Sequence, residues 1–151
     1  MDYKEWLNLF GRDSEDKKVK DALAKVGVKK IPPIKKDDTD TRVMLGDSML
    51  IFSSPELFPS HEAGGDGSSI LNALVLPLKG KKWGEYKREL PFQLDRADSQ
   101  KKLRARLGEP IEHNEDFYWD QWKVDNLLLR VTYTEDLGSL TVVAVELPTE
   151  V

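Results

Sequence analysis

The second half of this 151-residue chain repeats the order of elements in its first half. In each half, a segment with the spacing of an amphipathic helix ends at a glycine and precedes three short segments typical of strands. The first set is a helix at 19–27 and strands at 42–45, 49–53 and 70–78. The second set is a helix at 99–108 and strands at 118–124, 126–134 and 139–147. We therefore expect an α+β fold of two similar helix-plus-three-strand units, which form a largely antiparallel sheet with the helices on one face.

The length of the chain matches one domain of about 150 residues. We expect residues 1–151 to form this single domain, with pseudo-repeat halves at about 1–78 and 92–148 joined by a crossover at 79–91. The serine-, glycine- and proline-rich segment 53–69 shows no periodicity, so it is expected to be a mobile loop that carries recognition.

Composition excludes several classes of function. The net charge of -4 disfavours binding to nucleic acid or to an anionic membrane. The absence of cysteine excludes disulfides, thiolate metal sites and thiol catalysis. The N-terminal residues do not resemble a secretory signal, and no segment has the roughly 20 apolar residues of a membrane span. The expectation is a cytoplasmic protein without nucleic-acid or membrane partners.

The sequence offers little evidence for catalytic or metal-binding residues. His61 and His113 have no partner at metal-ligand spacing, and the polar cluster 112–116 is interpreted as a solvated turn rather than a cation site. Because 27 residues are acidic, pairs of carboxylates arise by chance. The glycine-rich segment 64–69 lacks the lysine of a phosphate-binding loop. We predict no enzyme activity, no cofactor and no metal.

Trp119 and Trp122 lie three residues apart in a predicted strand, so their side chains point to opposite faces of the sheet. One of them is expected to fill the core and the other to lie near the surface. We expect Trp119 to pack beneath the helices or against the crossover; the alternative is that it contacts a partner, since aromatic residues are enriched at binding hot spots.

Several motifs carry a resemblance to known families. The second half contains Arg-Leu-Gly-Glu-Pro at 106–110, then Trp122, Leu129–Tyr133, and 140–147 followed by Pro148. This order resembles the helix-plus-antiparallel-sheet module of the BamE and beta-lactamase-inhibitor-protein type, although the chain lacks the signal peptide and lipidated cysteine of the BamE lipoproteins. The segments 6–16, 89–94 and 107–110 also resemble uncharacterised bacterial proteins that are found beside polymorphic toxin genes and are presumed to be immunity proteins.

This resemblance implies a bacterial immunity protein that binds a cognate toxin and blocks its active site or the approach of its substrate. Clustered carboxylates suit a basic effector domain, which they attract over a distance. The predicted contact residues are Glu62, Asp66, Glu112, Glu115, Asp116, Trp119 and Asp120. One alternative is a non-catalytic adaptor for a secretion or assembly partner. Another is an enzyme or small-ligand binder that uses the concave face of the sheet.

Overall fold

The computed structural model describes residues 2–61 and 67–150 and contains three helices and seven strands. The helices are α1 (Tyr3–Leu7), α2 (Lys17–Lys25) and α3 (Gln100–Leu107), and two short 3-10 turns lie at Pro55–Leu57 and Pro91–Gln93. The strands are β1 (Asp40–Met44), β2 (Met49–Ser53), β3 (Ile70–Pro77), β4 (Glu112–Asn114), β5 (Trp119–Val124), β6 (Leu127–Tyr133) and β7 (Leu140–Glu146).

All seven strands form one antiparallel sheet in the order β1-β2-β3-β7-β6-β5-β4. The predicted α+β class and antiparallel sheet are therefore confirmed. The sheet is larger than three strands per unit, because the second half contributes four. Strand β4 was not expected: its residues, interpreted as a solvated turn, pair with β5 at the edge of the sheet.

One face of the sheet is the hydrophobic core. Paired residues form a continuous buried row across six strands, from Val43 through Leu50, Leu74, Val145 and Leu129 to Trp122. The same core cluster includes Val19 and Leu23 of α2 and Leu103 of α3. The strands β1-β2-β3 and β7-β6-β5, which meet between β3 and β7, thus bury the same face beneath the helices.

The helices begin and end where their local sequence favours it. The side chain of Asp16 accepts a hydrogen bond from the N–H of Lys18 at the start of α2, and Ser99 does the same for Lys102 in α3. Gly108 ends α3 at φ 87°, a conformation that glycine adopts without strain. Among the described residues, no helix has the length and apolar composition needed to cross a bilayer.

The opposite side of the sheet, here called the helix-free face, carries Trp119, Gln121, Arg130 and Glu146. The C-terminal tail contacts the segment that follows β2, because Glu150 donates its N–H to the carbonyl of Leu57 and accepts hydrogen bonds from Ser60. Of the segment expected to be a mobile loop, residues 62–66 lie outside the described part of the chain.

Candidate partner-binding surface

The hairpin formed by β4 and β5 has a fixed backbone at its tip. The side chain of Asn114 accepts a hydrogen bond from the N–H of Phe117 at 3.0 Å. Tyr118 adopts a left-handed conformation at φ 61°, and its carbonyl accepts the N–H of Tyr133 at 2.8 Å. These hydrogen bonds connect the turn to itself and to β6, so the side chains of the tip are presented from a defined backbone.

The outer surface of this hairpin is acidic. Glu112, Glu115 and Asp116 are all exposed. Residues 109–122 contain five acidic residues and no lysine or arginine. Since the interaction between exposed charges extends over a Debye length of about 8–10 Å, the carboxylates of Glu112, Glu115 and Asp116 act together as one negative patch.

Asp120 lies beneath this patch rather than on it. Its side chain is 0% exposed, and its two oxygens accept hydrogen bonds of 3.0 and 2.7 Å from Arg104 of α3. The hydroxyl of Tyr133 donates a third hydrogen bond of 2.9 Å to the same carboxylate. The charge of Asp120 is therefore compensated internally, and this residue positions the hairpin against α3 instead of facing a partner.

The ionisation of the two residues that bind Asp120 is shifted accordingly. The pKa of Arg104 is raised, first by its hydrogen bonds to Asp120. The pKa of Tyr133 is raised far above its ordinary value, first because the phenol is buried and then because a phenolate would meet the negative charge of Asp120. Arg104 and Tyr133 therefore both keep their protons at physiological pH, the arginine as a cation and the tyrosine as a neutral phenol.

Trp119 and Trp122 point to opposite faces, as β5 requires. Trp122 lies in the core and donates a hydrogen bond of 2.9 Å from its indole N–H to the carbonyl of Gly108, at the end of α3. Trp119 was expected beneath the helices or against the crossover; the first of these positions is wrong, because Trp119 lies on the helix-free face, where it pairs with Thr132. There its ring is covered by the guanidinium of Arg130, whose Cζ lies 3.8 Å from the ring centroid.

Arg130 connects Trp119 to neighbouring polar groups on the helix-free face. Its Nε donates a hydrogen bond of 3.1 Å to the side-chain oxygen of Gln121. Glu146 lies on the same face, and burial raises the pKa of its carboxyl group; the charge of Arg130 lowers this pKa and that of Glu112 raises it. The helix-free face beside the hairpin is therefore a half-buried surface with an arginine–tryptophan stack.

A cavity of about 270 Å³ lies between the hairpin, α3 and the turn before β7. Its lining includes Arg104, Asp120 and Tyr118, with Glu115 and Glu135 as the two exposed carboxylates. His113 also lines this cavity, but the described residues include no group of three or more histidine, aspartate or glutamate side chains placed to hold a metal ion.

A larger groove, about 780 Å³, runs along α2 and the chain that follows it. Its lining includes Leu23, Val28, Ile31 and Lys30. None of the predicted contact residues within the described chain lines this groove. The acidic hairpin and the α2 groove are thus separate features of the molecule.

The structure brings together five of the seven predicted contact residues. Glu112, Glu115 and Asp116 are exposed on the hairpin, Trp119 lies on the helix-free face next to them, and Asp120 is buried below. The other two, Glu62 and Asp66, lie outside the described residues.

Sequence reasoning missed three residues of this surface. Phe117 is 70% exposed at the tip of the hairpin. Arg104 and Arg130 hold Asp120 and Trp119 respectively. The signal for Phe117 was present, because a large aromatic residue directly after two acidic residues in a turn is not needed for a core. The arginine partners come from other elements, and no spacing in the sequence indicates them.

Comparison with protein-family models, with curated proteins and with solved structures found no match to this chain. The class of molecule that the fold itself defines is an α+β protein with a seven-stranded antiparallel sheet, a helical layer on one face and a helix-free face on the other.

Proposed function

We propose that this protein is a binding module and, more specifically, an immunity protein that neutralises a cognate bacterial toxin. It binds a basic effector domain and blocks the active site or the approach of the substrate, without catalysing a reaction itself. The observation that carries this proposal is the acidic hairpin, in which exposed carboxylates are presented from a turn with a fixed backbone.

The charge of the hairpin supports a basic partner. Toxins that act on nucleic acid or other anionic substrates need positive charge around their clefts, and a complementary negative surface accelerates association with such a cleft. Lys101 and Lys102 of nearby α3 are exposed, but they belong to the helical layer. The residues proposed to attract the partner are Glu112, Glu115 and Asp116.

The way in which the hairpin is held supports binding rather than a purely structural role. Asp120 and Arg104 attach β5 to α3, and Tyr118 attaches the turn to β6. Order that exists before binding does not have to be created during binding, so less conformational entropy is lost on association.

The strand order supports the duplicated architecture implied by the resemblance to inhibitor-type modules. The orders β1-β2-β3 and β5-β6-β7 are mirrored about the central β3–β7 pair, and a helix precedes the strands of each half. An approximate two-fold axis through this pair would relate the two units, with β4 as an addition to the second. In that arrangement the acidic hairpin is a feature of the second unit alone.

Co-expression with the product of the gene immediately upstream tests this function. We expect the upstream product to be toxic when expressed alone, tolerated when this protein is present, and recovered in a complex that weakens as the salt concentration rises. A protein that neither relieves toxicity nor forms a complex with the upstream product would contradict the immunity proposal.

A further inference from the structure

We propose that Phe117 is the main apolar contact of the partner interface, and that the partner is a basic protein with an apolar pocket bordered by its cationic residues. This inference rests on the proposed function, since it concerns the same hairpin. It adds an apolar pocket of the partner, which Phe117 enters after electrostatic attraction has brought the two proteins together.

The exposure of Phe117 is unusual for its size. At 70% it is the most exposed large hydrophobic side chain among the described residues, ahead of Ile111 at 58% and Met44 at 47%. Ile111 precedes β4 and Phe117 follows it, so the two most exposed apolar side chains flank the same edge strand. An aromatic side chain left in water is a frequent hot spot when a partner covers it.

The backbone that carries the phenyl ring is held by hydrogen bonds on both sides. The N–H of Phe117 is held by the side chain of Asn114, and the next residue, Tyr118, is fixed by its hydrogen bond to Tyr133. An aromatic side chain has only two rotatable bonds, so little side-chain entropy is lost when it is buried. The hairpin therefore presents Phe117 at low entropic cost.

The charges next to Phe117 determine the chemistry of its pocket. Glu115 and Asp116 directly precede it, and the nearest lysine or arginine along the chain in either direction is outside residues 109–122. A pocket that accepts Phe117 must place its rim against these carboxylates. Like charges at that rim would repel, whereas lysine or arginine side chains would form ion pairs, so the apolar pocket is expected within a basic surface.

Kinetics of binding to the purified upstream gene product separate this inference from the proposed function. A buried apolar contact acts mainly on dissociation, and rim charges act mainly on association. We expect Phe117→Ala to raise the dissociation rate about 30-fold or more, with the association rate and its salt dependence nearly unchanged. The double variant Glu115→Gln/Asp116→Asn is expected to slow association instead.

Met44→Ala is the matched control, since it truncates an exposed apolar side chain on β1 at the opposite edge of the sheet. It should leave both rates unchanged. If Phe117→Ala dissociates as slowly as Met44→Ala while the double variant still associates slowly, the apolar contact is overturned and the acidic binding surface stands. If the upstream product does not bind the unmodified protein, both proposals fail.

Discussion

The guanidinium of Arg104 holds the fully buried carboxylate of Asp120 through two hydrogen bonds, 3.0 Å from Nε and 2.7 Å from Nη2. Because Arg104 belongs to α3 and Asp120 to β5, this ion pair attaches the helical layer to the strand that supports the acidic hairpin. The hydroxyl of Tyr133 on β6 completes the cluster. The exposed carboxylates of the hairpin thus lie above the buried carboxylate of Asp120, whose charge is compensated by Arg104.

Removal of the cation from this pair should strongly destabilise the protein. Arg104→Met leaves Asp120 buried without its partner, and we expect the free energy of unfolding to fall by about 3–5 kcal/mol. Urea denaturation measures this change. Arg88→Met, which breaks the partly exposed ion pair with Asp47, is the control and should cost no more than about 1 kcal/mol. Equal losses in the two variants would show that the buried pair contributes no more than a surface pair.

Stability at alkaline pH should depend on Tyr133. Burial and the charge of Asp120 raise the pKa of Tyr133, whereas the unfolded chain ionises this phenol near its ordinary value of 10.0. The unfolded state therefore releases a proton first, and the stability that the neutral phenol confers is lost as the pH rises above about 10.

Tyr133→Phe removes the hydroxyl that donates a hydrogen bond to Asp120, so we expect a loss of about 1.5–3 kcal/mol at pH 7. Because the variant has no phenol to ionise at this position, its deficit relative to the unmodified protein should shrink at pH 11. Urea denaturation at both pH values gives the comparison. A deficit of the same size at pH 7 and pH 11 would contradict the buried, neutral state of Tyr133.

The stack of Arg130 on Trp119 should appear as a favourable coupling energy. A double-mutant cycle with Trp119→Ala and Arg130→Ala is expected to give about 0.5–2 kcal/mol. The control cycle pairs Trp119→Ala with Lys123→Ala, which removes a cation on the same face of β5 other than the one stacked on Trp119. We expect that cycle to be additive within about 0.5 kcal/mol. Additivity in both cycles would remove the stack as a stabilising interaction.

Glu146 should make stability fall as the pH rises. Burial raises its pKa above the ordinary value of 4.5, with Arg130 lowering and Glu112 raising it, so the folded protein retains this proton to a higher pH than the unfolded chain. Ionisation of Glu146 therefore disfavours folding, and the free energy of unfolding falls as the pH rises through the pKa of the folded protein. Glu146→Gln should gain stability relative to the unmodified protein between pH 4 and pH 7, as followed by thermal unfolding. Glu56→Gln, which replaces an exposed carboxyl group in the turn after β2, is the control, and an identical trend in the two variants would contradict this assignment.

Most of the fold was predictable because long periodic segments carry their own signal. Strand β6 alternates between buried and half-buried positions, and α3 is capped by Ser99 at its start and by Gly108 at its end, as its sequence indicates. Strand β4 was missed because three residues are too few to show alternation, and its two exposed residues resemble a turn. Its strand conformation comes from pairing with β5, a tertiary effect.

The sequence predicts some properties of the candidate site but not the contacts between its residues. The acidic residues and the opposite orientation of Trp119 and Trp122 follow from the sequence. The burial of Asp120 does not, because its partner Arg104 lies on α3, among other basic residues that resemble a solvated helical face. Because side chains alternate along a strand, the sequence determines only that the two tryptophans lie on opposite faces of the sheet. Which face Trp119 occupies depends on the side that the helices cover.

The central claim is that the acidic hairpin attracts a basic partner, and the rate of association tests it most directly. Stopped-flow mixing with the purified upstream gene product, at low and at physiological salt, compares the unmodified protein with Glu115→Lys/Asp116→Lys. Asp37→Lys/Asp38→Lys makes the same change in net charge at two exposed residues of the first half and is the control. We expect the hairpin variant to associate at least about tenfold more slowly at low salt and with a weaker salt dependence, and the control to resemble the unmodified protein. Unchanged association and unchanged salt dependence in the hairpin variant would contradict the account.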